Sequence, residues 1–165
     1  FQGMKKLGQI ASFIFAIGVA LFLYKRYRVA PDVNLLLIEV LDQNGEVKTL
    51  GELHQGTLLV NFYASWCGPC MSEMPDLQKG SLNTKGIQFI GLTDDTPERI
   101  QQVKDHFGIT YPIYKLATTL KENDVYSIPT TYAFKDGVEI MNYLGPKDWS
   151  NEQLLEQLSS GQAIK

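Results

Sequence analysis

Cys67 and Cys70 are the only cysteines in a chain of 165 residues, and three positions of separation exclude a disulfide that staples distant parts of a fold. Two thiols one helical turn apart can close a small disulfide and reopen it, so the chemistry on offer is thiol-disulfide exchange. The pair follows the apolar run Leu58 to Ala64, which reads as a strand buried on both faces, and a helix is expected from about Pro69. Cys67 then stands at a helix N-terminus, where unpaired N–H groups and the positive end of the helix stabilise a thiolate. Cys70, one turn on, is better covered and within reach of a mixed disulfide formed at Cys67. Gly68 and Pro69 are expected to allow a tight entry into the helix and to keep the ring small. Half of a zinc site has the same spacing, but a structural zinc site takes four ligands, and His54 and His106 stand apart from the cysteines and from each other. Neither a metal nor a cofactor is expected.

The elements that must position these residues are legible on either side. Leu35 to Leu41 reads as a strand, Asp42 to Gly45 as a turn with its Asn44-Gly45 signal, and Val47 to Leu50 as the return, an N-terminal hairpin. The helix after the cysteines is expected to bend or break at Pro75, and Ile87 to Thr93 reads as a second buried strand, which makes a right-handed βαβ unit. Thr96-Pro97-Glu98 is a helix start running to about Phe107, with Gly108 as the stop. Thr130 to Lys135 and Val138 to Leu144 form a hairpin about Asp136-Gly137. Ser150 with Gln153 predicts a capping box for a last helix through Leu154, Leu155 and Leu158. Phe62, Tyr63, Phe89 and Phe134 are expected to be core or flanking aromatics.

Phe62 to Cys70, with Trp66-Cys67-Gly68-Pro69-Cys70 at its centre, resembles the active-site segment of the thioredoxin superfamily. The resemblance covers roughly Leu35 to Leu158. It implies an α/β thioredoxin-like fold, a central mixed sheet flanked by helices. It also implies that Ile128-Pro129 is a cis bond facing the disulfide, with the Ile128 backbone open to an incoming substrate chain and Trp66 on the same surface. Thioredoxin itself has a buried Asp six residues before the first cysteine; here that position is Asn61, which cannot titrate. Cys70-Met71-Ser72-Glu73-Met74-Pro75 resembles the continuation found in TlpA/ResA-like extracytoplasmic reductases, which share an N-terminal anchor and an added N-terminal hairpin. Glu73 lies on the helical face of Cys70 and could exchange a proton with it. The alternative is an acid favoured in a helix's first turns by the dipole alone.

Phe1-Gln2-Gly3 ahead of Met4 looks like a tag's protease-site remnant. Leu7 to Tyr24 carries no charge and is flanked by Lys5-Lys6 and by Lys25, Arg26 and Arg28. At about 1.5 Å per residue it reaches roughly 27 Å, near the thickness of a hydrocarbon core. A signal peptide would be shorter and end on small residues, so an uncleaved anchor over residues 4–28 is expected, with Tyr24 and Tyr27 at the interface. Basic residues on both flanks leave orientation open. Residues 29–34, with Ala30-Pro31-Asp32, read as a linker, and residues 35–165 as one domain.

A net charge of −3 offers no extended basic surface, so nucleic acid is not an expected partner. The resemblance implies a bacterial single-pass membrane protein with its domain outside the cytoplasm, and the reduction of client disulfides there. Clients would include apocytochrome c or other exported thiol proteins, and a membrane electron donor would re-reduce the pair. The same sulfurs run backwards would make an oxidant that installs disulfides, and a non-catalytic anchored adaptor is the reading from another class. A peroxidase would show a Thr-x-x-Cys arrangement, which is missing.

Overall fold

A computed structural model describes residues 2–28 and 33–164, the side chains of 2–5, 7 and 25–28 apart. Helix α1 (Gln2–Arg28) takes in the whole expected anchor. Its Ile10, Phe13, Ile14, Phe15, Leu21 and Phe22 are exposed, and none joins the core of the domain. Among the described residues no helix is long and apolar enough to cross a membrane. The Leu7 side chain, the flanking Lys5, Lys25, Arg26, Tyr27 and Arg28 side chains, and the expected linker Ala30-Pro31-Asp32 lie outside the described residues.

The domain is built on a mixed sheet of seven strands in the order β2-β1-β5-β4-β3-β6-β7. The strands are β1 (Glu39–Leu41), β2 (Val47–Thr49), β3 (Thr57–Phe62), β4 (Ile87–Thr93), β5 (Ile113–Leu116), β6 (Thr130–Lys135) and β7 (Val138–Leu144). β3 lies at the centre, parallel to β4 and antiparallel to β6, and every one of its residues is buried. That is why its sequence is a continuous apolar run rather than an alternating one. Helix α3 (Gly68–Asn83) crosses from β3 to β4, and α4 (Pro97–Phe107) from β4 to β5. The short α2 (Leu50–Leu53) and the closing α5 (Glu152–Ser160) complete the layers.

Several local expectations are corrected. Leu35 to Leu37 is a 3₁₀ turn, and only Glu39 to Leu41 is strand; burial of Leu35 and Ile38 follows the three-residue repeat of that turn. Pro75 does not interrupt α3, which runs through it. The face carrying Cys70, Glu73, Met74, Leu77 and Gly80 is buried, and packing along a whole helix outweighs one missing N–H. Asn151, not Ser150, caps α5, its side chain accepting from Leu154 N–H at 3.0 Å, because Ser150 bonds Asp148 instead. α2 was not expected although Thr49 and Glu52 spell its capping box, which forms with Thr49 N–H on Glu52 at 2.7 Å. The hairpin β6-β7, strand β4 and helix α4 with its Thr96 cap and left-handed Gly108 are as expected.

One contact fixes how α3 meets the end of the chain. A Cβ on Gly80 would collide with the Trp149 backbone carbonyl and press on the Phe89 ring at 3.2 Å. Backbone cannot yield as a flexible side-chain tip can. Gly80→Ala is therefore expected to destabilise the domain by about 1–3 kcal/mol despite alanine's better helix propensity, read as a lower urea midpoint at unchanged m-value.

Candidate functional site

The site sits at the carboxyl end of β3, where the parallel neighbour β4 and the antiparallel neighbour β6 part. The chain leaves β3 with Tyr63 N–H still bonded to Leu92, then turns through Ser65 and Trp66 into α3. Asp95, beyond β4, holds the turn by accepting from Ser65 N–H at 2.7 Å and from its hydroxyl at 3.2 Å. Cys67 becomes the N-cap of α3, and the Cys70 N–H donates to Cys67 Sγ at 3.2 Å. An amide aimed at this sulfur favours negative charge on it. The two cysteines form a disulfide with their Cα atoms 5.2 Å apart.

Exposure ranks the sulfur-bearing residues as expected, though more narrowly: Cys67 is 6 % exposed and Cys70 fully buried. Trp66 is 76 % exposed, beside an open groove of about 580 Å³ lined by Ser65, Asp94, Asp95, Thr96 and Arg99. Ile128-Pro129 is cis, and the Ile128 carbonyl oxygen lies 3.8 Å from Cys67 Sγ. Gly68 does not serve the purpose expected of it. Its φ lies outside the left-handed region and an added Cβ would meet nothing within 4 Å, so the entry into α3 does not require glycine. Its missing side chain leaves open space at the exposed start of α3.

Behind the disulfide, Glu73 is 2 % exposed. Its Oε1 accepts from Asn61 Nδ2 at 2.8 Å, and its Oε2 accepts from Trp149 Nε1 at 2.9 Å and Lys147 N–H at 3.2 Å. Asn61 is anchored in turn on Thr131 Oγ1 at 2.9 Å. Burial pushes the Glu73 carboxyl above its ordinary range, the hydrogen bonds from Trp149, Asn61 and Lys147 pull back, and the Asp76 charge adds to the rise. The structure thus leaves Trp66, Gly68 and Pro69 exposed, sets Cys67 just beneath them against the half-buried Ile128 carbonyl, and buries Cys70, Pro129 and Glu73. Sequence reasoning missed Trp149, Lys147, Thr131 and Asp95, because partners this far away in the chain leave no local pattern. His54 is elsewhere, bonded to Gln88 and Tyr114, and no cluster of three metal-ligating side chains occurs among the described residues.

A sequence model described as the AhpC/TSA family matches residues 28–136. A relative named thiol-disulfide oxidoreductase ResA, from Oceanobacillus iheyensis, is 34 % identical over 70 % of this chain and 64 % of its own length. Another of that name, from Halalkalibacterium halodurans, is 32 % identical over 61 % of this chain and 60 % of its own. The chain thus spans less than two thirds of the length of these relatives. Among solved structures, StoA from Bacillus subtilis superposes with a TM-score of 0.56 at 22 % identity, covering 77 % of this chain and 96 % of that one, which shows a shared fold.

The raised Glu73 titration makes stability pH-dependent in a definite direction. In the unfolded chain Glu73 loses its proton in the ordinary carboxylate range, while folded it keeps the proton to higher pH. Between those points the folded state binds more protons, so its contribution is full at low pH and is lost as pH rises through the folded value. Urea midpoints of the oxidised protein, in which neither cysteine titrates, are expected to fall over that interval, and Glu73→Gln to remove this component of the slope.

Proposed function

The chain belongs to the AhpC/TSA family of thioredoxin-like proteins, and from that premise we propose that it is a thiol-disulfide oxidoreductase that reduces disulfides of client proteins outside the cytoplasm. One observation carries the reading. Cys67 caps α3 with the Cys70 amide on its sulfur, while the cysteine bonded to it is sealed from solvent. An attacking thiolate needs the first environment, and a resolving thiol that must not meet stray oxidants suits the second.

In the reaction, the Cys67 thiolate attacks one sulfur of a client disulfide, and the client's other sulfur leaves as a thiolate. Cys70 gives its proton to Glu73, attacks the Cys67 sulfur and displaces the client sulfur bonded to it. The client gains two electrons and takes up two protons, and Cys67–Cys70 is left oxidised. A membrane electron donor then returns two electrons to the pair. Trp66, Gly68, Pro69, Ile128 and Pro129 are the surface on which the client chain lies, with exported thiol proteins, apocytochrome c among them, as clients.

Helix α1 is the anchor in this reading, through Leu7 to Tyr24. What supports it is a segment without charge that carries large apolar side chains on every side, the pattern of a helix surrounded by apolar matter rather than water. Residues 29–34 then link it to the domain at 35–165.

Single-turnover kinetics with a peptide disulfide test the chemistry. Cys70→Ser is expected to accumulate the mixed disulfide and Cys67→Ser to form none; trapping on Cys70 instead reverses the roles. Glu73→Gln is expected to leave the first attack near wild type, to slow resolution by tenfold or more, and to flatten its pH profile. A pair that only installs disulfides in reduced clients would make the protein an oxidant, and no turnover in either direction would leave an adaptor. For location, protease added to spheroplasts is expected to digest the domain, whereas full protection behind an intact membrane places it inside.

A further inference from the structure

A buried group that gains and loses a proton needs partners for both of its forms. The two oxygens of Glu73 are met differently in this respect. Oε2 is held by an indole N–H and a backbone N–H, at 2.9 and 3.2 Å, and neither can ever accept. Oε1 meets the Asn61 amide alone. A proton on Oε2 would be driven into two fixed donors, so the protonated form carries its hydrogen on Oε1. There it would confront the Asn61 Nδ2 hydrogens, leaving buried donors facing one another.

Asn61 is the one partner that can exchange roles. It is 1 % exposed, its Nδ2 serves both Glu73 Oε1 and Thr131 Oγ1, and its Oδ1 has no partner among the described residues. A half-turn about the Cβ–Cγ bond brings Oδ1 to Glu73 to accept from the Oε1 hydroxyl. The Thr131 hydroxyl, able to donate as well as accept, turns to donate to the same Oδ1. Nδ2 moves to where Oδ1 stood. One end of the amide is unpartnered in either orientation, so the rotation sacrifices no hydrogen bond.

We propose that Asn61 is a positioning residue whose side-chain amide rotates with the proton on Glu73, donating to the carboxylate and accepting from the acid. The proposal deepens the reading of Glu73 as proton partner of Cys70 and rests on it for its use in turnover. The other titratable or charged groups around Glu73 are Cys70 and Asp76 on α3, Tyr111 ahead of β5 and Lys147 after β7. The Tyr111 hydroxyl donates to Met74 Sδ at 3.5 Å, and the Lys147 ammonium lies over the Tyr143 ring at 4.4 Å. None of them bonds Oε1.

The test is NMR on the oxidised full chain in detergent, with glutamate carboxyl carbons and asparagine side-chain nitrogens labelled. As pH falls, Glu73 and the Asn61 amide are expected to titrate with one midpoint, and the contacts of the Nδ2 hydrogens with Thr131 to disappear. Glu73→Gln gives a second arm. Its carbonyl must stay on Trp149 and Lys147, which turns its own NH₂ toward Asn61, so the acid-form amide pattern is expected at every pH. Nδ2–Thr131 contacts that persist below the Glu73 midpoint, or in Glu73→Gln, overturn the proposal. Neither arm uses turnover, so a Glu73→Gln variant that resolves mixed disulfides at the wild-type rate refutes the proton-partner role while the amide rotation is judged separately.

Discussion

A carboxylate removed from water must be met by donors, and the burial of Glu73 organises the interior around that requirement. Its three donors come from β3, from the loop after β7 and from the indole of Trp149. They tie the central strand, the helix that carries the cysteines and the C-terminal segment to a single group. Removing the carboxylate would leave these donors without their acceptor in a medium where that is costly. Trp149 is itself fully buried and packs edge-on against Tyr143 of β7, their ring centres 6.0 Å apart, so the donor that reaches Oε2 is held by packing against that strand.

The disulfide is held at the N-terminus of the helix that carries Glu73. β3 delivers the chain to Cys67, Asp95 clamps the turn from the side of β4, and the segment before β6 closes from the other side. The resulting surface is asymmetric. Trp66 and the vacant face of Gly68 look outward, whereas Cys70 and Glu73 are one turn apart on the buried face of α3. A helix with Pro75 in its middle keeps those two residues in register because its inward face is packed along its whole length. Division of labour between two chemically identical sulfurs therefore comes from which side of a helix cap each one occupies.

Much of this was legible along the chain. The cysteine spacing, the continuous apolar runs of β3 and β4, the Thr96-Pro97 start and Gly108 stop of α4, and the Asp136-Gly137 turn are local signals, and each formed where its chemistry places it. Glu73 could be placed on the face of Cys70 because helical spacing is itself local. Errors fell where two local signals competed or tertiary packing overrode one. Ser150 and Asn151 could each cap α5, and the choice went to Asn151 once Asp148 engaged Ser150. Leu35 to Leu37 is as apolar as a strand, yet only the residues beyond Ile38 find partners in β5 and β2.

By itself, then, the sequence determined the reactive pair, its place at a strand-to-helix junction and the order of the elements other than α2 and β5, since all of these depend on residues within one or two turns of one another. Only the tertiary structure decided that Glu73 is sealed in the core rather than solvated in a first turn, which partners hold each of its oxygens, and that Gly68 faces open space rather than a tight entry. The placement of Glu73 and of its partner Asn61 depends on Trp149, Lys147 and Thr131, which stand 70 to 76 residues from the group each one meets and reach it only when the sheet has closed. Proximity of that kind is created by long-range packing, and no local spacing encodes it.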